Sequence, residues 1–240
     1  MRRLLALLLL ATLLQTTACS SGGSASPRTH HVTVLAASSL TEAFGTLAAD
    51  YDRAHPGTKV DLSFAGSPTL VAQVQEGVPA DVLATADQAS MGKVAAHLTG
   101  PARVFARNRL AIVFGPGQHF ASLRDLSRPG TTLVIGAPAV PVGKATRTAL
   151  AAAGVTVHPA SLEPDVKAVL TKVVTGEADV GVVYATDLAA AGNRVQGVVL
   201  PEVVTTLPIG ALTTAGQSFA DYVLSAAGRR VLSRYGFVLP

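Results

Sequence analysis

Short apolar runs alternate with amphipathic segments along most of the chain. The runs that predict strands are Val32–Ala36, Lys59–Phe64, Asp81–Thr85, Arg109–Phe114, Thr132–Ile135 and Asp179–Tyr184. Most of these runs lack the polar alternation of a half-exposed strand, which is typical of sheets covered by helices on both faces. The pattern therefore predicts an α/β fold with mostly parallel sheets.

Helix signals occupy the segments between these runs. Ser39–Glu42 has the capping-box pattern and predicts a helix that continues to about Ala54. Ser67 followed by Pro68 predicts an N-cap and the first position of a helix to about Glu76. Further helices are predicted at Lys144–Ala153, Asp165–Thr175 and, with a break near Gly228, Phe219–Tyr235.

The N-terminus follows a different pattern. Two arginines precede the apolar run Leu4–Leu14, which is too short to cross a bilayer and is typical of a secretory signal peptide at residues 1–18. Cys19 stands directly after the expected cleavage point, which resembles a bacterial lipoprotein signal and predicts lipidation of Cys19 and a membrane anchor. Ordinary secretion with an incidental cysteine is the alternative.

A polar segment separates this signal from the first strand. Residues 19–31 are rich in Gly and Ser and predict a flexible linker. The paired His30 and His31 have no further histidine at ligand spacing, so no metal site is predicted.

Composition excludes several classes of function. A chain with 49% hydrophobic and 14% charged residues is too apolar for a disordered protein. The formal charge of +4 is scattered, and Arg2 and Arg3 lie in the signal, so nucleic acid is not an expected partner. The single cysteine excludes a disulfide framework and a cysteine-based zinc site.

No nucleotide-binding, serine-hydrolase or zinc-protease motif is present in the sequence. Strands that end in small or hydroxylated residues just before a helix recur instead. Helix N-termini offer unpaired N–H groups and a positive partial charge, so several that converge would bind an anion without a fixed countercharge. No cofactor is predicted.

Seven segments together resemble one family. They are Val34–Ala43, Ser63–Leu70, Pro79–Asp87, Val140–Gly143, Asp165–Val166, Gly181–Asp187 and Arg234–Phe237. In this order and at these spacings they are similar to the molybdate-binding proteins of ABC transporters, over roughly Val32 to Leu239. The resemblance implies a monomeric, non-enzymatic receptor that captures molybdate, and also tungstate, and delivers it to an ABC permease at the outer face of the membrane.

The resemblance also implies a fold and a ligand set. The fold is a two-lobed periplasmic binding protein of type II, with residues 32–113 and 205–240 in lobe 1 and residues 114–204 in lobe 2. The chain would cross between the lobes near Phe114 and near Thr205. The implied molybdate ligands are the hydroxyls of Ser39, Ser67 and Tyr184 and the backbone amides of Val142 and Val166.

The third ligand loop departs from the family pattern. Ala137-Pro138 stands where many members have Asp-Pro, Ala145 replaces a common tyrosine, and the loop is one residue short. These changes leave the position of the Val142 amide open.

Molybdate is a dianion without a proton, so it needs only hydrogen-bond donors, which hydroxyls and amides supply. Phosphate carries a proton that needs an acceptor, and the five implied positions include no carboxylate. Three alternatives stay open at this point. They are a receptor for another oxyanion such as sulfate, a secreted hydrolase with Ser39 or Ser67 as nucleophile, and the ligand-sensing domain of a regulator.

Overall fold

The computed structural model describes residues 29–240. The predicted signal peptide, Cys19 and most of the predicted linker lie outside these residues. The strands are β1 His30–Ala37, β2 Thr58–Ala65, β3 Val82–Ala84, β4 Arg103–Phe114, β5 Leu133–Gly136, β6 Ser161–Glu163, β7 Val180–Tyr184 and β8 Gln196–Ala211. The helices are α1 Thr41–Ala54, α2 Ser67–Gln75, α3 Gln88–Gly92, α4 Pro141–Ala152, α5 Val166–Val174, α6 Ala185–Ala191, α7 Thr214–Leu224 and α8 Ala226–Arg234.

The strands form one continuous sheet with two equivalent halves, in the order β2-β1-β3-β8-β4-β7-β5-β6. In one half β1 pairs in parallel with β2 and β3, and β3 pairs antiparallel with β8. In the other half β5 pairs in parallel with β6 and β7, and β7 pairs antiparallel with β4. We call the half with β1–β3, α1–α3, α7 and α8 lobe 1, and the half with β5–β7 and α4–α6 lobe 2. The predicted α/β, two-lobed fold is confirmed.

The two long strands β4 and β8 join the lobes as an antiparallel ribbon. Their register shifts between Arg109 and Leu110, and from Leu110 onward β4 also pairs with β7 of lobe 2. On β4 the pairing with lobe 2 thus begins at Leu110. On β8 the same shift lies between Leu200 and Val204.

Buried aliphatic and aromatic side chains hold helices on both faces of the sheet. In lobe 1 the ring of Phe44 on α1 packs edge-on against Phe105 of β4 and Phe219 of α7, with centroids 5.7 and 6.2 Å apart. In lobe 2 the wholly buried strand β7 carries only apolar side chains and Tyr184. Burial on both faces explains why β7 is apolar along nearly its whole length.

Strand β8 is absent from the sequence prediction. It spans 16 residues but contains Pro201 and Pro208, and proline within a run normally argues against a strand. Pro208 pairs with Val104 beside a register shift, the kind of irregularity that accommodates a proline. Strand β1 starts at His30, inside the predicted linker, because β1 and β2 pair from His30 and Thr58 onward.

The predicted C-terminal helix is two helices. The break lies at Ser225, three residues before the expected Gly228. Ser225 has an extended backbone, and its hydroxyl accepts from the Gly228 amide and so caps α8. Among residues 29–240, no helix has the length and apolar character required to cross a membrane.

Candidate functional site

All five predicted ligand residues line one small cavity between the lobes. Ser39 and Ser67 come from lobe 1, and Val142, Val166 and Tyr184 come from lobe 2. Each residue is at most 3% exposed. The space between them is about 200 Å³, including its opening to solvent. The cavity is therefore much smaller than the usual site of a drug-sized ligand.

Topology explains why residues so distant in sequence meet here. Each ligand segment follows the carboxyl end of a strand, and in open α/β sheets these ends share one edge. The N-termini of α2, α4 and α5 all point to the cavity through Ser67, Val142 and Val166. The first turns of these helices present N–H groups without intrahelical partners.

Ser39 does not cap helix α1, so the predicted capping box is wrong. The chain makes a 3₁₀ turn at Ser38–Leu40, and α1 begins only at Thr41 with no side-chain cap. The Ser39 hydroxyl is buried without a hydrogen-bond partner in the described part of the chain. A buried hydroxyl in this state costs free energy unless something accepts from it.

Ser67 is likewise not an N-cap. Gly66 takes that position, and Ser67 is the first residue of α2. The Ser67 hydroxyl oxygen accepts from the Ala86 amide at 3.1 Å. Accepting this hydrogen bond leaves the O–H group of Ser67 able to donate its hydrogen into the cavity.

In lobe 2, Val142 lines the cavity despite the shortened loop before it. Ala137 accepts from the Val140 amide at 3.0 Å in a tight turn from β5 into α4. A Cβ on Gly143 would lie 2.1 Å from the Ala137 carbonyl oxygen, so only glycine lets the start of α4 pack this closely on the strand end. Val142, the second residue of α4, consequently faces the cavity.

Asp165, where the predicted helix starts, is the N-cap of α5 and also lines the cavity. Its carboxylate accepts from the Lys167 and Ala168 amides at 2.7 and 3.0 Å. This cap engages the second and third amides of α5 but not that of Val166, the first residue of α5, which lines the cavity.

Tyr184 ends β7 and lines the cavity, and its buried hydroxyl makes no hydrogen bond of normal geometry in the described part of the chain, although the Thr205 hydroxyl lies close to it. Burial, together with the nearby Asp187 carboxylate, raises the pKa of this phenol well above its ordinary value. Tyr184 is therefore protonated and a donor at neutral pH.

The lysines next to the cavity are paired with carboxylates, and the lining itself includes one carboxylate, that of Asp165. Lys167 Nζ lies 2.7 Å from Glu42 Oε1 and 3.0 Å from Asp187 Oδ1, and Lys144 Nζ lies 3.7 Å from Asp87 Oδ2. Burial raises the pKa of Asp187 to about 6, although Lys167 opposes the shift. Burial would lower the pKa of Lys167, but Asp187 and Glu42 outweigh it and hold that pKa above its ordinary value.

The cavity thus offers neutral donors from both lobes. Its lining among the described residues contains no histidine, and residues 29–240 hold no group of three His, Cys, Asp or Glu side chains that could bind a metal ion. Such a donor set suits a small anion that carries no proton, because every oxygen can accept and none must donate.

Comparisons with known proteins place the chain in a family and identify similar structures. Residues 32–238 match the model of the family described as bacterial extracellular solute-binding protein. The molybdate-binding protein ModA of Mycobacterium tuberculosis is 39% identical over 221 residues, 87% of this chain and 85% of that protein. The solved periplasmic molybdate-binding protein of Azotobacter vinelandii has a TM-score of 0.68 at 21% identity, over 87% of this chain and 99% of that one. The sulfate-binding protein SubI of M. tuberculosis has a TM-score of 0.74 at 16% identity, over 87% and 86% of the two chains.

Proposed function

Because the chain belongs to the family of bacterial extracellular solute-binding proteins, we propose that it captures molybdate between its lobes and delivers it to an ABC permease. The relative with 39% identity carries the name molybdate-binding protein and aligns over most of both chains. Molybdate is cargo in this function, and no resident cofactor takes part.

Two buried hydroxyls on opposite sides of the cleft carry the proposal. Ser39 of lobe 1 and Tyr184 of lobe 2 both line the cavity, and neither hydroxyl makes a hydrogen bond of normal geometry among the described residues. An anion between them would accept from both and so offset the cost of burying them. The same anion would bridge the lobes and stabilise their closed arrangement.

The full proposed ligand set is the hydroxyls of Ser39, Ser67 and Tyr184 with the amides of Val142 and Val166. Hydrogen bonds to a charged acceptor are roughly twice as strong as neutral ones, which lets neutral groups hold a dianion. Tungstate shares the charge and tetrahedral shape and would bind in the same way.

Sulfate is the second candidate ligand, since a sulfate-binding protein shares the fold. Sulfate has the same charge and shape but is smaller, so cavity size is the property that would distinguish the two anions. Titration calorimetry with molybdate, tungstate and sulfate tests the choice. We expect tight binding of the first two anions only, and sulfate binding as tight as molybdate binding would contradict the specificity.

The hydrolase alternative has less support. A serine nucleophile needs a base within hydrogen-bond reach, and no histidine lines the described cavity beside Ser39 or Ser67. Ester turnover that Ser67→Ala abolishes would reverse this preference. The regulator alternative is disfavoured by the predicted export signal.

We propose that the receptor acts as a monomer tethered to the outer face of the cell membrane through lipidated Cys19. Several acyl chains would hold it firmly, since each buried CH₂ contributes about 0.8 kcal/mol. Cys19→Ala should release the protein from the membrane into the medium or periplasm, whereas retention at the membrane would argue against lipidation.

A further inference from the structure

Three charged side chains form a cluster that connects the lobes next to the cavity. Lys167 Nζ on α5 contacts both carboxylate oxygens of Glu42 on α1, at 2.7 and 2.9 Å. The same ammonium lies 3.0 Å from Asp187 Oδ1 on α6. Glu42 belongs to lobe 1, while Lys167 and Asp187 belong to lobe 2.

The two contacts of Lys167 differ in burial. Asp187 is fully buried, and it needs Lys167 as its countercharge whatever the lobes do. The side chains of Lys167 and Glu42 are 25% and 39% exposed, so water can replace their contact when the lobes separate. Only the Glu42 contact is therefore conditional on closure.

Each member of the cluster is tied to a proposed ligand by short sequence spacing. Lys167 follows Val166 directly, Glu42 comes three residues after Ser39, and Asp187 comes three residues after Tyr184. The Glu42–Lys167 contact can form only when the elements that carry the ligands have come together. It is also free to form because Glu42 has no capping role at the start of α1.

We propose that the Glu42–Lys167 ion pair is a latch that favours the closed arrangement of the lobes and slows release of the bound anion. The slow-release part rests on the proposed function. Glu42 and Lys167 act here as positioning residues, since neither lines the cavity.

Electrostatics alone predicts the opposite effect of removing Glu42. A carboxylate near a dianion repels it, so Glu42→Gln would strengthen anion binding if charge were its only influence. A latch predicts weaker binding, with the change in the dissociation rate. The sign of the change therefore separates the two roles.

The test compares three full-length proteins in detergent by stopped-flow mixing with molybdate: wild type, Glu42→Gln and the control Asp52→Asn. Asp52 pairs with Lys59 at 2.7 Å inside lobe 1, so its loss removes a similar ion pair without affecting closure. Glu42→Gln leaves the Lys167–Asp187 pair in place, which protects the fold. We expect Glu42→Gln to raise the dissociation rate by about threefold to fivefold, within the range of partly exposed ion pairs. The association rate of this variant and both rates of the control should match the wild type.

Solution scattering of the same proteins without anion gives a second readout. Glu42→Gln should have a larger radius of gyration than the wild type and the control, because its lobes are open more often. A wild type that binds no molybdate would refute the proposed function, and the scattering comparison would then decide the latch alone. The latch would be overturned if Glu42→Gln released molybdate at the wild-type rate or more slowly. If the wild type binds no anion, equal scattering curves for Glu42→Gln and the wild type would overturn it.

Discussion

At the scale of single residues, the proposed site depends on hydroxyl groups that can donate hydrogen bonds into the cleft. The sequence identified Ser39, Ser67 and Tyr184 only through a joint pattern, since each alone reads as a cap or a packing residue. It assigned caps to both serines, and both assignments were wrong. Local sequence could not reveal this, because the 3₁₀ turn before α1 and the Ala86 contact of Ser67 depend on tertiary packing.

Tyr184→Phe removes one donor from the cavity without changing the shape of the buried ring. We expect molybdate binding to weaken by about 1.5–3 kcal/mol, the usual range for a hydrogen bond to a charged group. Titration calorimetry measures the change. Tyr222→Phe, on α7 and outside the cavity, is the matched control and should bind as the wild type does. Unchanged affinity of Tyr184→Phe would remove Tyr184 from the site.

Asp187 gives the stability of the protein a specific pH dependence. Its pKa is about 6 in the folded chain, above the ordinary 3.8, so between these pH values the folded state binds a proton that the unfolded state does not. Its contribution to the free energy of unfolding is therefore present below pH 3.8 and lost as pH rises through about 6.

Urea unfolding of wild type and Asp187→Asn from pH 4 to 7 isolates this contribution. On acidification the wild type should gain stability relative to the variant, by on the order of 1–3 kcal/mol. Other carboxylates titrate in both proteins and cancel in the difference. Parallel pH profiles would show that Asp187 has an ordinary pKa.

At the scale of elements, lobe closure brings the loop before α2 against the loop before α5. A Cβ on Gly66 would lie 2.3 Å from the carbonyl oxygen of Pro164 in the opposite lobe. The backbone of Gly66, with φ −62° and ψ 142°, suits alanine, so the obstruction arises only when the lobes meet. This position is glycine because of a contact between lobes and not because of a turn.

Gly66→Ala should therefore obstruct closure while leaving each lobe folded. Overpacking of this kind costs about 1–3 kcal/mol, which corresponds to molybdate binding weakened by about fivefold to 150-fold. Gly45→Ala is the control, because no atom lies within 4 Å of a Cβ on Gly45 in α1 and alanine should stabilise that helix by about 0.5–1 kcal/mol. Wild-type affinity in Gly66→Ala would mean that the lobes do not close this tightly.

The order of elements was predictable where one segment determines its own structure. Helices α4 and α5 are followed by Gly154 and Gly176, both with positive φ, the backbone conformation in which glycine commonly ends a helix. Strand β8 and the point where β4 passes into lobe 2 were not predictable from local sequence. Both are set by the pairing of β4 with β8, whose paired residues lie 82 or more positions apart in the chain. The Glu42–Lys167 contact has no sequence signal for the same reason, since 125 residues separate its partners.

At the scale of the whole molecule, a weakly charged chain forms an anion site without using a free cation. Lys144 and Lys167, the lysines beside the cavity, are each engaged by carboxylates, so neutral donors face the ligand. The donors come from both lobes, which links binding to closure. We propose that this arrangement holds the bound anion.

Anomalous X-ray diffraction at the molybdenum edge, from crystals grown with molybdate, tests directly whether neutral donors of both lobes hold the anion. We predict one strong molybdenum peak between the lobes, with its oxygens at hydrogen-bond distance, about 2.7–3.2 Å, from the Ser39, Ser67 and Tyr184 hydroxyls and the Val142 and Val166 amides. A peak outside this cavity, or one held by a lysine side chain or by donors of a single lobe, would contradict the account.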